Sequence, residues 1–511
     1  MPPPIGSLEP DDLHNRALVA NVHPPDWKNP SPNGRYNLVV VGAGTAGLVT
    51  ASIAAGLGAK VALIERSLMG GDCLNVGCVP SKVLVNAARL INTAKRAAEF
   101  SNAIPNNDRF DFERVMNRVR QVRSSVSAID SADRYTKLGV DIFFGSASFT
   151  SRNTVDVDGI TLEFSKAVIC SGTRPASPNV PGLAEAGYLT NENIFSITKL
   201  PHRLGVIGAG PIGCELAQSF ARFGSAVTLI EQQSQLLPRD EPAAAVVLLD
   251  SMNRDGVTCL LNTNVHTVTT KAGVKQLHSS SGGQTETLNV DEIFVAIGRI
   301  PNVEGLGLET AGVSYDGFGV TVDPTLRTSN SNIYAAGDVC STYKFTHAAD
   351  AMAKVVIQNA LFPHPLGYGV ASVDSLDIPW CTYTDPEVAH VGMDEATAKA
   401  KGIEIDTYTQ PLSEVDRATI EGESNGFARI HVRKGTDKIL GATIVASQAG
   451  NLISEITIAL KAEVGLQTIS DTIHPYPTHA EALYKAAIKM RKARFTIRQQ
   501  TWLKWFFGWF R

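Results

Sequence analysis

Tyr36-Asn-Leu-Val-Val-Val-Gly42-Ala-Gly44-Thr-Ala-Gly47 is the stretch that decides the fold of this 511-residue chain. Its first six residues are an apolar run typical of a buried strand, and its glycines open a helix of small residues, 48–58. A second predicted strand, residues 60–64, ends in Glu65. This order of strand, glycine turn, helix, strand and acid predicts a βαβ unit that binds a dinucleotide, with its pyrophosphate at the helix N-terminus and its ribose hydroxyls on Glu65.

The same pattern occurs again at Leu204-Gly-Val-Ile-Gly208-Ala-Gly210-Pro-Ile-Gly213, where the next predicted strand, residues 226–230, ends in Glu231. The acid follows the first glycine at the same distance in both units, from Gly42 to Glu65 and from Gly208 to Glu231. Such an internal repeat predicts two nucleotide sites. Glu231 would bind ribose hydroxyls and repel a 2′-phosphate, and two glutamines follow it where an NADP site usually supplies Arg. We therefore expect NAD(H) in preference to NADP(H) at the second site.

Two cysteines lie close together in Gly70-Gly-Asp-Cys73-Leu-Asn-Val-Gly-Cys78-Val-Pro-Ser-Lys82. Thiols at this spacing can close a small ring, and a helix N-terminus lowers thiol pKa, so the pair can cycle between dithiol and disulfide. The alternatives are a static disulfide or half of a zinc site, but no second cysteine pair or His-x-x-x-His follows. Because flavin exchanges electrons with a disulfide and nicotinamide alone ordinarily does not, we expect FAD at the first site.

The run from Gly70 to Lys82 resembles the active-site signature of class I pyridine nucleotide-disulfide oxidoreductases, the family of lipoamide dehydrogenase, glutathione reductase and mercuric reductase. The resemblance covers about residues 36–490. It implies an α/β fold with two Rossmann-like dinucleotide-binding domains, FAD in the first, and a C-terminal α+β dimerisation domain. It also implies a homodimer in which that last domain completes the partner's active site.

The resemblance implies roles for individual residues. Cys78 would lie as a thiolate against the flavin, Cys73 would attack or bind the acceptor, and Lys82 near the flavin would pair with Glu215 beneath the nicotinamide. Ser171-Gly172 resembles the loop that closes over FAD, Gly298 opens a run similar to the end of the NAD domain, and Gly337-Asp338 resembles the element that binds the ribityl chain. The implied catalytic residues are Cys73, Cys78, Tyr476, Glu481, Lys82 and Glu215. The implied cofactor-binding residues are Gly42, Gly44, Gly47, Glu65, Lys82, Ser171, Gly172, Gly208, Gly210, Gly213, Glu231, Gly298, Gly337 and Asp338. No metal site is predicted.

The predicted domain organisation follows from these motifs. It consists of a loose N-terminal arm at 1–35, the first part of the FAD-binding domain at 36–190, the NAD(P)-binding domain at 191–300, the return of the FAD-binding domain at 301–371, the dimerisation domain at 372–490 and a basic aromatic tail at 491–511.

Composition excludes several classes of protein. A net charge of −4 gives no reason to expect nucleic acid as a partner, and seven cysteines are too few for a disulfide framework, which fits a reducing compartment. The N-terminal residues lack the apolar run of a secretory signal, so we expect a cytoplasmic protein.

From Lys489 to Arg511 the tail carries seven basic residues, no acid and several Trp and Phe. That composition suits the surface of an anionic membrane, and packing against the protein's own dimer is the alternative.

The sequence departs from the family near its C-terminal end. Lipoamide dehydrogenase and glutathione reductase carry a proton-shuttling His in His-Pro-Thr-x-x-Glu, whereas this chain reads His474-Pro-Tyr476-Pro-Thr-His479-Ala-Glu481, with Tyr where that His is expected. A phenol with a pKa of about 10 is a poor proton shuttle near neutral pH. His474 or His479 could substitute as an acid or a ligand, although a His in such a loop is more often a surface residue.

Mercuric reductases also carry Tyr at this place, but they deliver the metal ion with a cysteine pair near the C-terminus, and the last cysteine here is Cys381. We therefore expect a mercuric reductase-like enzyme that passes electrons from NAD(P)H through FAD and the Cys73–Cys78 disulfide to a metal–thiol complex, a disulfide or a similar acceptor. The alternatives are a dihydrolipoamide dehydrogenase and a membrane-docked redox-sensing flavoprotein.

Overall fold

A computed structural model describes residues 8–97, 100 and 111–510 of the chain. Its α-helices are α1 (Leu13–Val22), α2 (Thr45–Gly56), α3 (Gly71–Asn75), α4 (Cys78–Ala97), α5 (Phe112–Ser127), α6 (Ala132–Lys137), α7 (Leu183–Ala186), α8 (Pro211–Arg222), α9 (Pro242–Arg254), α10 (Leu308–Ala311), α11 (Thr346–Leu361), α12 (Glu395–Ala400), α13 (Asp416–Ile420), α14 (Ala449–Lys461), α15 (Leu466–Asp471), α16 (Glu481–Arg494) and α17 (Ile497–Gly508).

Its strands are β1 (Tyr36–Val41), β2 (Val61–Glu65), β3 (Val140–Phe144), β4 (Ala147–Phe149), β5 (Thr154–Val157), β6 (Ile160–Ile169), β7 (Thr173–Pro175), β8 (Arg203–Ile207), β9 (Ala226–Ile230), β10 (Val257–Leu260), β11 (Asn264–Lys271), β12 (Val274–Ser281), β13 (Gln284–Val290), β14 (Glu292–Val295), β15 (Arg299–Pro301), β16 (Tyr315–Asp316), β17 (Gly319–Val320), β18 (Ile333–Ala335), β19 (Trp380–Thr382), β20 (Glu387–Gly392), β21 (Ile405–Pro411), β22 (Phe427–Arg433) and β23 (Ile439–Ala446).

The chain divides into two compact units. The first contains the residues up to Gln232 together with Thr263–Leu376, and the second contains Gln233–Asn262 together with the residues from Asp377 onward. The segment predicted as one NAD(P)-binding domain, residues 191–300, therefore contributes to both units. The second unit begins close to the predicted start of the dimerisation domain at 372.

The central sheet of the first unit has the strand order β3-β2-β1-β6-β5-β4, and β18 also pairs with β6. Strands β3, β2, β1, β6 and β18 run parallel, while β4, β5 and β6 form an antiparallel extension. Leu38 and Val40 of β1 pack into one apolar core and Val39 and Val41 into another, so both faces of the strand are covered. Burial on both faces explains why a parallel strand reads as a continuous apolar run.

The second nucleotide unit has its own parallel strands in the order β9-β8-β14. A two-stranded antiparallel ribbon, β7 with β15, joins the points where the chain enters and leaves this unit. Between its strands the chain adds an antiparallel sheet, β11-β12-β13, that the sequence analysis did not predict. The return of β18 to β6 then brings Gly337 and Asp338 back to the carboxyl end of the first sheet.

The prediction of a loose N-terminal arm is wrong for the described part of residues 1–35. Residues 13–22 form α1, whose first turn is capped by the Asp12 carboxylate, and Leu18 and Val22 are fully buried in the core of the first unit. Asp12 also pairs with Arg120, which is 5% exposed. Residues 1–7 lie outside the described residues.

The second unit is built on an antiparallel sheet with the order β19-β20-β23-β22-β21. Helices α14 and α16 pack on it, and every residue of β23 is buried. Glu241, which precedes α9, is 5% exposed and accepts hydrogen bonds from His431, Thr443 and Arg429 of this sheet. Burial opposes its ionisation, but these donors hold the pKa of Glu241 down at about 2.

The predicted fold class is confirmed: the chain is α/β with two Rossmann-like units and a C-terminal α+β domain. Among the helices that the structure describes, none has both the length and the apolar character needed to cross a membrane.

Candidate active site

The two cysteines of the Gly70–Lys82 run lie on consecutive helices. Cys73 is inside the short helix α3, and Cys78 is the first residue of α4. Gly77 stands between them, and a Cβ there would lie 2.7 Å from the Asp72 carbonyl oxygen, so only glycine lets the chain pass this closely. Both cysteines are free thiols in the structure, with Cys73 half-buried and Cys78 exposed.

The two thiols have opposite acidities. A hydrogen bond to the Cys78 sulfur and burial raise the pKa of Cys73. The hydrogen bond from Cys73 lowers the pKa of Cys78 to about 6, although the protein atoms around the sulfur partly desolvate it and oppose the shift. Thr346 supports the same charge, because its Oγ1 lies 3.2 Å from the Cys78 Sγ. Cys78 is also the first residue of α4, and the helix dipole favours negative charge at that end of a helix.

An ion pair stands next to this thiolate. Lys82 lies one turn along α4 from Cys78, and its Nζ is 2.6 Å from Oε2 of Glu215, a residue of α8 that is 4% exposed. The charge of Lys82 lowers the pKa of Cys78, whereas the charge of Glu215 raises it. The pair therefore adjusts the charge on Cys78 from both directions.

A groove of about 670 Å³ opens beside Cys78 and Lys82. The remaining residues of its lining come from α4 and α5 and are mostly apolar: Val79, Val83, Asn86, Ala87, Leu90, Arg118 and Val122. A small molecule can therefore reach the Cys78 thiol from this side.

The first glycine turn has the geometry of a pyrophosphate cradle. Gly42 has φ +102°, and a Cβ there would lie 2.4 Å from the Cys170 carbonyl oxygen, while a Cβ on Gly47 would lie 1.8 Å from the Gly42 oxygen. Gly44, in contrast, would direct a Cβ into space whose nearest atom is Gly71 Cα at 3.8 Å, and as the N-cap of α2 it supplies no side-chain acceptor. Two glycines thus permit close backbone packing, and the middle one leaves room at a helix N-terminus for an anion.

The second glycine turn repeats this arrangement. Gly208 has φ +103°, and a Cβ on it would lie 2.6 Å from the Ala296 oxygen. A Cβ on Gly213 would lie 2.0 Å from the Gly208 oxygen, while Gly210 has nothing within 4 Å of its Cβ position. Both turns therefore fit a dinucleotide.

In each of the two nucleotide-binding βαβ units, the acid at the end of the second strand accepts a hydrogen bond from the glycine turn. Glu65 Oε2 accepts from the Ala43 amide at 2.8 Å, and Glu231 Oε2 accepts from the Ala209 amide at 2.7 Å. Glu65 Oε1 also accepts from the Ser67 amide, and burial raises the pKa of Glu65. A carboxylate offers about four acceptor positions, so the two bonds given for Glu65 leave it capacity for ribose hydroxyls.

Residues predicted to hold the rest of the first nucleotide also lie close together. Asp338 Oδ2 accepts from Thr173 Oγ1 at 3.0 Å and lies 3.9 Å from Arg299 Nε, and burial raises the pKa of Asp338. Ser171 Oγ donates to the Asn302 carbonyl at 2.7 Å, which ties the Ser171–Gly172 loop to the run that Gly298 opens. Gly298 and Gly337 have φ values of +128° and +81°.

The segment that carries the two cysteines lies close to the first glycine turn, since a Cβ on Gly71 would lie 2.7 Å from Gly44 Cα.

Comparison with known proteins decides what this arrangement is. Residues 36–353 match the family described as pyridine nucleotide-disulphide oxidoreductase, and residues 378–487 match the dimerisation domain of that family. The chain belongs to the pyridine nucleotide-disulphide oxidoreductase family. Enzymes of this family depend on FAD and NAD(P)H, and the match to the dimerisation domain supports a homodimer.

Relatives of this disulphide oxidoreductase include mercuric reductases and dihydrolipoyl dehydrogenases. It is 33% identical over 461 residues to a mercuric reductase of Staphylococcus aureus, covering 90% of this chain and 83% of the relative. It is 33% identical over 466 residues to a dihydrolipoyl dehydrogenase of Chlamydia muridarum, covering 89% and 97%. Among solved structures it is similar to the HOCl-induced flavoprotein disulfide reductase RclA of Escherichia coli, with a TM-score of 0.77, 28% identity and coverage of 88% and 99%.

In the second unit of the disulphide oxidoreductase, Tyr476 and Glu481 are held by different partners. The Tyr476 hydroxyl donates to Asp416 Oδ2 at 2.8 Å, and this hydrogen bond raises the pKa of Tyr476. Glu481 Oε1 lies 3.0 Å from Lys485 Nζ, while its Oε2 is buried without a hydrogen-bond partner among the described residues. Tyr476 itself is 70% exposed. Because its hydroxyl proton is directed to Asp416, the phenol oxygen of this exposed side chain can accept a further hydrogen bond.

The nearby histidines are paired rather than simple surface residues. His474 Nε2 lies 3.0 Å from Glu455 Oε1, and its side chain is 10% exposed. His479 is 8% exposed and lies 2.8 Å from Glu421 Oε2. Glu423 lies near this pair at a spacing that could hold a metal ion, and Arg417 also forms an ion pair with Glu421.

Sequence reasoning missed two residues that contact predicted site residues. Thr346 supports the Cys78 thiolate from the start of α11, and Asp416 fixes the Tyr476 hydroxyl. Thr346 lies in the segment that follows Gly337-Asp338, so its position in that segment was the one available signal. Asp416 has no such signal, because an Asp at the first turn of a short helix is ordinarily a solvated residue.

Proposed function

We propose that this protein is a mercuric reductase-like enzyme that uses NADH to reduce a metal–thiol complex, a disulfide or a similar acceptor through Cys73 and Cys78. The observation that carries the proposal is the pair of thiols with opposite acidity, of which Cys78 has a pKa of about 6. Such a pair holds one sulfur ready as a stable thiolate and the other as a thiol that can exchange with an acceptor.

The residues around the two nucleotide sites fit the family's cofactors. When bound, FAD would accept a hydride from NAD(P)H and supply two electrons to a disulfide. Glu65, Asp338 and the first glycine turn would bind the flavin nucleotide, while Glu231 and the second turn would bind the nicotinamide nucleotide. The positive charge of Lys82 would stabilise the Cys78 thiolate, and the negative charge of Glu215 would oppose it.

The sulfur chemistry balances as follows. Two electrons and one proton convert the Cys73–Cys78 disulfide to a Cys73 thiol and a Cys78 thiolate. Cys73, once deprotonated, attacks an acceptor disulfide and releases one acceptor thiol, and Cys78 then attacks the mixed disulfide, which releases the second thiol and restores the Cys73–Cys78 bond. With a metal–thiol complex as substrate, Cys73 would replace one of the thiol ligands.

The choice of acceptor rests on Tyr476. Its hydroxyl proton is directed to Asp416, so the phenol oxygen can accept a hydrogen bond or contact a metal ion but is a poor source of a proton at neutral pH. The mercuric reductase relative and the Cu(II) complex of RclA add weight to a metal–thiol acceptor. The dihydrolipoyl dehydrogenase relative, at the same identity, supports the alternative acceptor dihydrolipoamide.

The preference for NADH rests on Glu231, whose carboxylate holds the second glycine turn and would repel a 2′-phosphate. We expect kcat/KM to be higher with NADH than with NADPH. Replacing Glu231 by Ser should narrow this difference mainly through a higher KM for NADH.

An acceptor panel tests the proposed function. NADH oxidation should be measured with Hg(II)– and Cu(II)–glutathione complexes, glutathione disulfide and lipoamide. Cys73→Ser should reduce turnover with the preferred acceptor to less than about one-thousandth of the wild-type rate. Cys259→Ser is the matched control, since that half-buried thiol has a pKa raised to about 11 by burial and should leave turnover unchanged.

A single substitution separates the two acceptor classes. Tyr476→His should raise turnover with dihydrolipoamide and NAD, while Tyr476→Phe should not. Wild-type turnover of dihydrolipoamide at rates equal to those with metal–thiol complexes would contradict the branch that we prefer.

We also propose that the enzyme is a homodimer of a reducing, cytoplasmic compartment and that it works at the periphery of a membrane. The match to the dimerisation domain supports the first part, and the free thiols and basic aromatic tail support the rest. If the protein instead acts as a membrane-docked redox sensor, steady NADH oxidation will require a protein partner.

A further inference from the structure

The C-terminal helix α17 forms with little support from the described part of its own chain. None of its residues is buried. It begins with a capping box, in which Thr496 Oγ1 accepts from the Gln499 amide and the Gln499 side chain accepts from the Thr496 amide. Isolated helices of this length are marginal in water, so this helix is expected to gain stability from a surface that the chain itself does not provide.

One side of α17 is a continuous aromatic surface. With 3.6 residues per turn, the large apolar side chains from Trp502 onward fall within an arc of about 200°, and Ile497 lies outside it. This aromatic surface consists of Trp502, Leu503, Trp505, Phe506, Phe507, Trp509 and Phe510. Rings one turn apart are in contact: the centroids are 5.5 Å apart for Trp502 and Phe506, 5.2 Å for Trp505 and Trp509, and 5.0 Å for Phe506 and Phe510.

These rings are strongly exposed. The exposed fraction is 57% for Trp502, 58% for Trp505 and 76% for Trp509. Exposed aromatic surface of this extent is uncommon on a protein without a partner, and it marks a site of interaction with a protein or a membrane.

The charge around the helix is of one sign. From Lys489 to Arg511 the chain has seven basic residues and no acid. Lys489 and Arg491 contact Glu414 and Asp471, but Lys492, Arg498 and Lys504 form no ion pair within the part of the chain that the structure describes. These cations are therefore available to an anionic surface.

We propose that α17 docks in the headgroup layer of an anionic lipid bilayer, with its aromatic surface below the phosphates and its cations among them. This inference deepens the proposed peripheral location. An arc of about 200° is too wide for the narrow i, i+3, i+4, i+7 stripe by which a helix fills a protein groove, but it suits a fluid interface. Trp and Phe settle at this boundary, and Lys and Arg meet lipid phosphate.

The position of the tail in the chain supports a membrane over the protein's own dimer. The match to the family's dimerisation domain ends at residue 487, before α17 begins. The helix carries Arg498 and Lys504 among its exposed Trp and Phe side chains, a composition that suits a helix lying along a membrane surface.

Vesicle binding by the full-length protein tests the proposal. The probes are vesicles of phosphatidylglycerol and phosphatidylcholine in equal parts, and vesicles of phosphatidylcholine alone. We expect the protein to sediment with the anionic vesicles and its Trp emission to shift to the blue. Its affinity should be at least about tenfold weaker when salt is raised to about 0.5 M, because salt at that concentration strongly screens exposed charges. The triple variant Trp502→Ser/Trp505→Ser/Trp509→Ser should lose at least about tenfold in affinity, and Arg498→Gln/Lys504→Gln should reduce binding to the anionic vesicles specifically.

A matched control removes exposed rings elsewhere. Phe318 and Tyr368 are 86% and 77% exposed, and Phe318→Ser/Tyr368→Ser should bind vesicles as the wild type does. Equal binding by the wild type and the triple variant would overturn the proposal, as would equal binding to both kinds of vesicle. A change of oligomeric mass in the triple variant without a change in vesicle binding would assign the aromatic surface to a protein interface instead.

The same samples keep this proposal separate from the proposed function. NADH oxidation measured without vesicles tests the reductase, and vesicle binding measured without NADH tests the tail.

Discussion

Cys78 has an unusual acidity for a cysteine because several neighbours act on one sulfur atom. Cys73 and Thr346 contact the sulfur, Lys82 adds positive charge, and Glu215 opposes it. With a pKa of about 6 instead of the usual 9.0, Cys78 is mostly a thiolate at pH 7 and becomes a thiol as the pH falls below 6. Its reactivity should follow that change.

Thr346→Val should raise the pKa of Cys78, because the hydroxyl that supports the thiolate is lost. The rate of alkylation of the reduced enzyme by iodoacetamide, followed by mass spectrometry of the Cys78 peptide, should rise through pH 6 in the wild type and through a higher pH in the variant. Thr346→Ser keeps the hydroxyl and should restore the wild-type profile. Identical profiles for Val and Ser would contradict this role of Thr346.

Lys82 and Glu215 should act on Cys78 in opposite directions. Lys82→Met removes a positive charge and should raise the pKa of Cys78, whereas Glu215→Gln removes a negative charge and should lower it. The same alkylation profile measures both. Shifts of the same sign in the two variants would contradict the electrostatic account.

At this scale the sequence predicted residues within local motifs and missed those brought together by the fold. Cys73, Cys78 and Lys82 belong to one run, and Glu65 follows its glycine turn at a fixed spacing, so local patterns identify them. Thr346 is 268 positions from Cys78, and no local pattern reports that contact.

Among the elements, α1 shows how sequence reasoning failed. Its surroundings are rich in Pro, Asn and Asp, which favours a loose arm. The cap at Asp12 and the spacing of Leu18 and Val22 were present as signals of an amphipathic helix, but the apolar residues are too few to identify a core contact without the sheet that they cover.

Leu18→Ala should destabilise the first unit by about 2–5 kcal/mol, because a fully buried side chain leaves a cavity. Leu13 belongs to the same helix but is 70% exposed, so Leu13→Ala should lower the free energy of unfolding by less than about 0.5 kcal/mol. The midpoint of urea unfolding, followed with a probe in the first unit, measures both. Equal midpoints would mean that α1 is the loose arm that the sequence suggests.

For the whole molecule, the repeated nucleotide unit was the most informative feature of the sequence. Two glycine turns with acids at equal spacing predict two sites, and in the structure each acid accepts from its own turn, Glu65 from Ala43 and Glu231 from Ala209. The antiparallel sheet β11-β12-β13 was not predicted, since its strands are rich in polar residues, carry few buried side chains and so lack a clear alternating apolar pattern.

The central claim is that two electrons from NADH reach the sulfur atoms of Cys73 and Cys78. Anaerobic titration of the oxidised, FAD-loaded enzyme with NADH, with thiols counted after denaturation, tests it most directly. The account predicts that the wild type consumes about two equivalents of NADH and gains about two thiols, while Cys73→Ser consumes about one and gains none. Consumption of one equivalent by the wild type with no gain of thiols would contradict it.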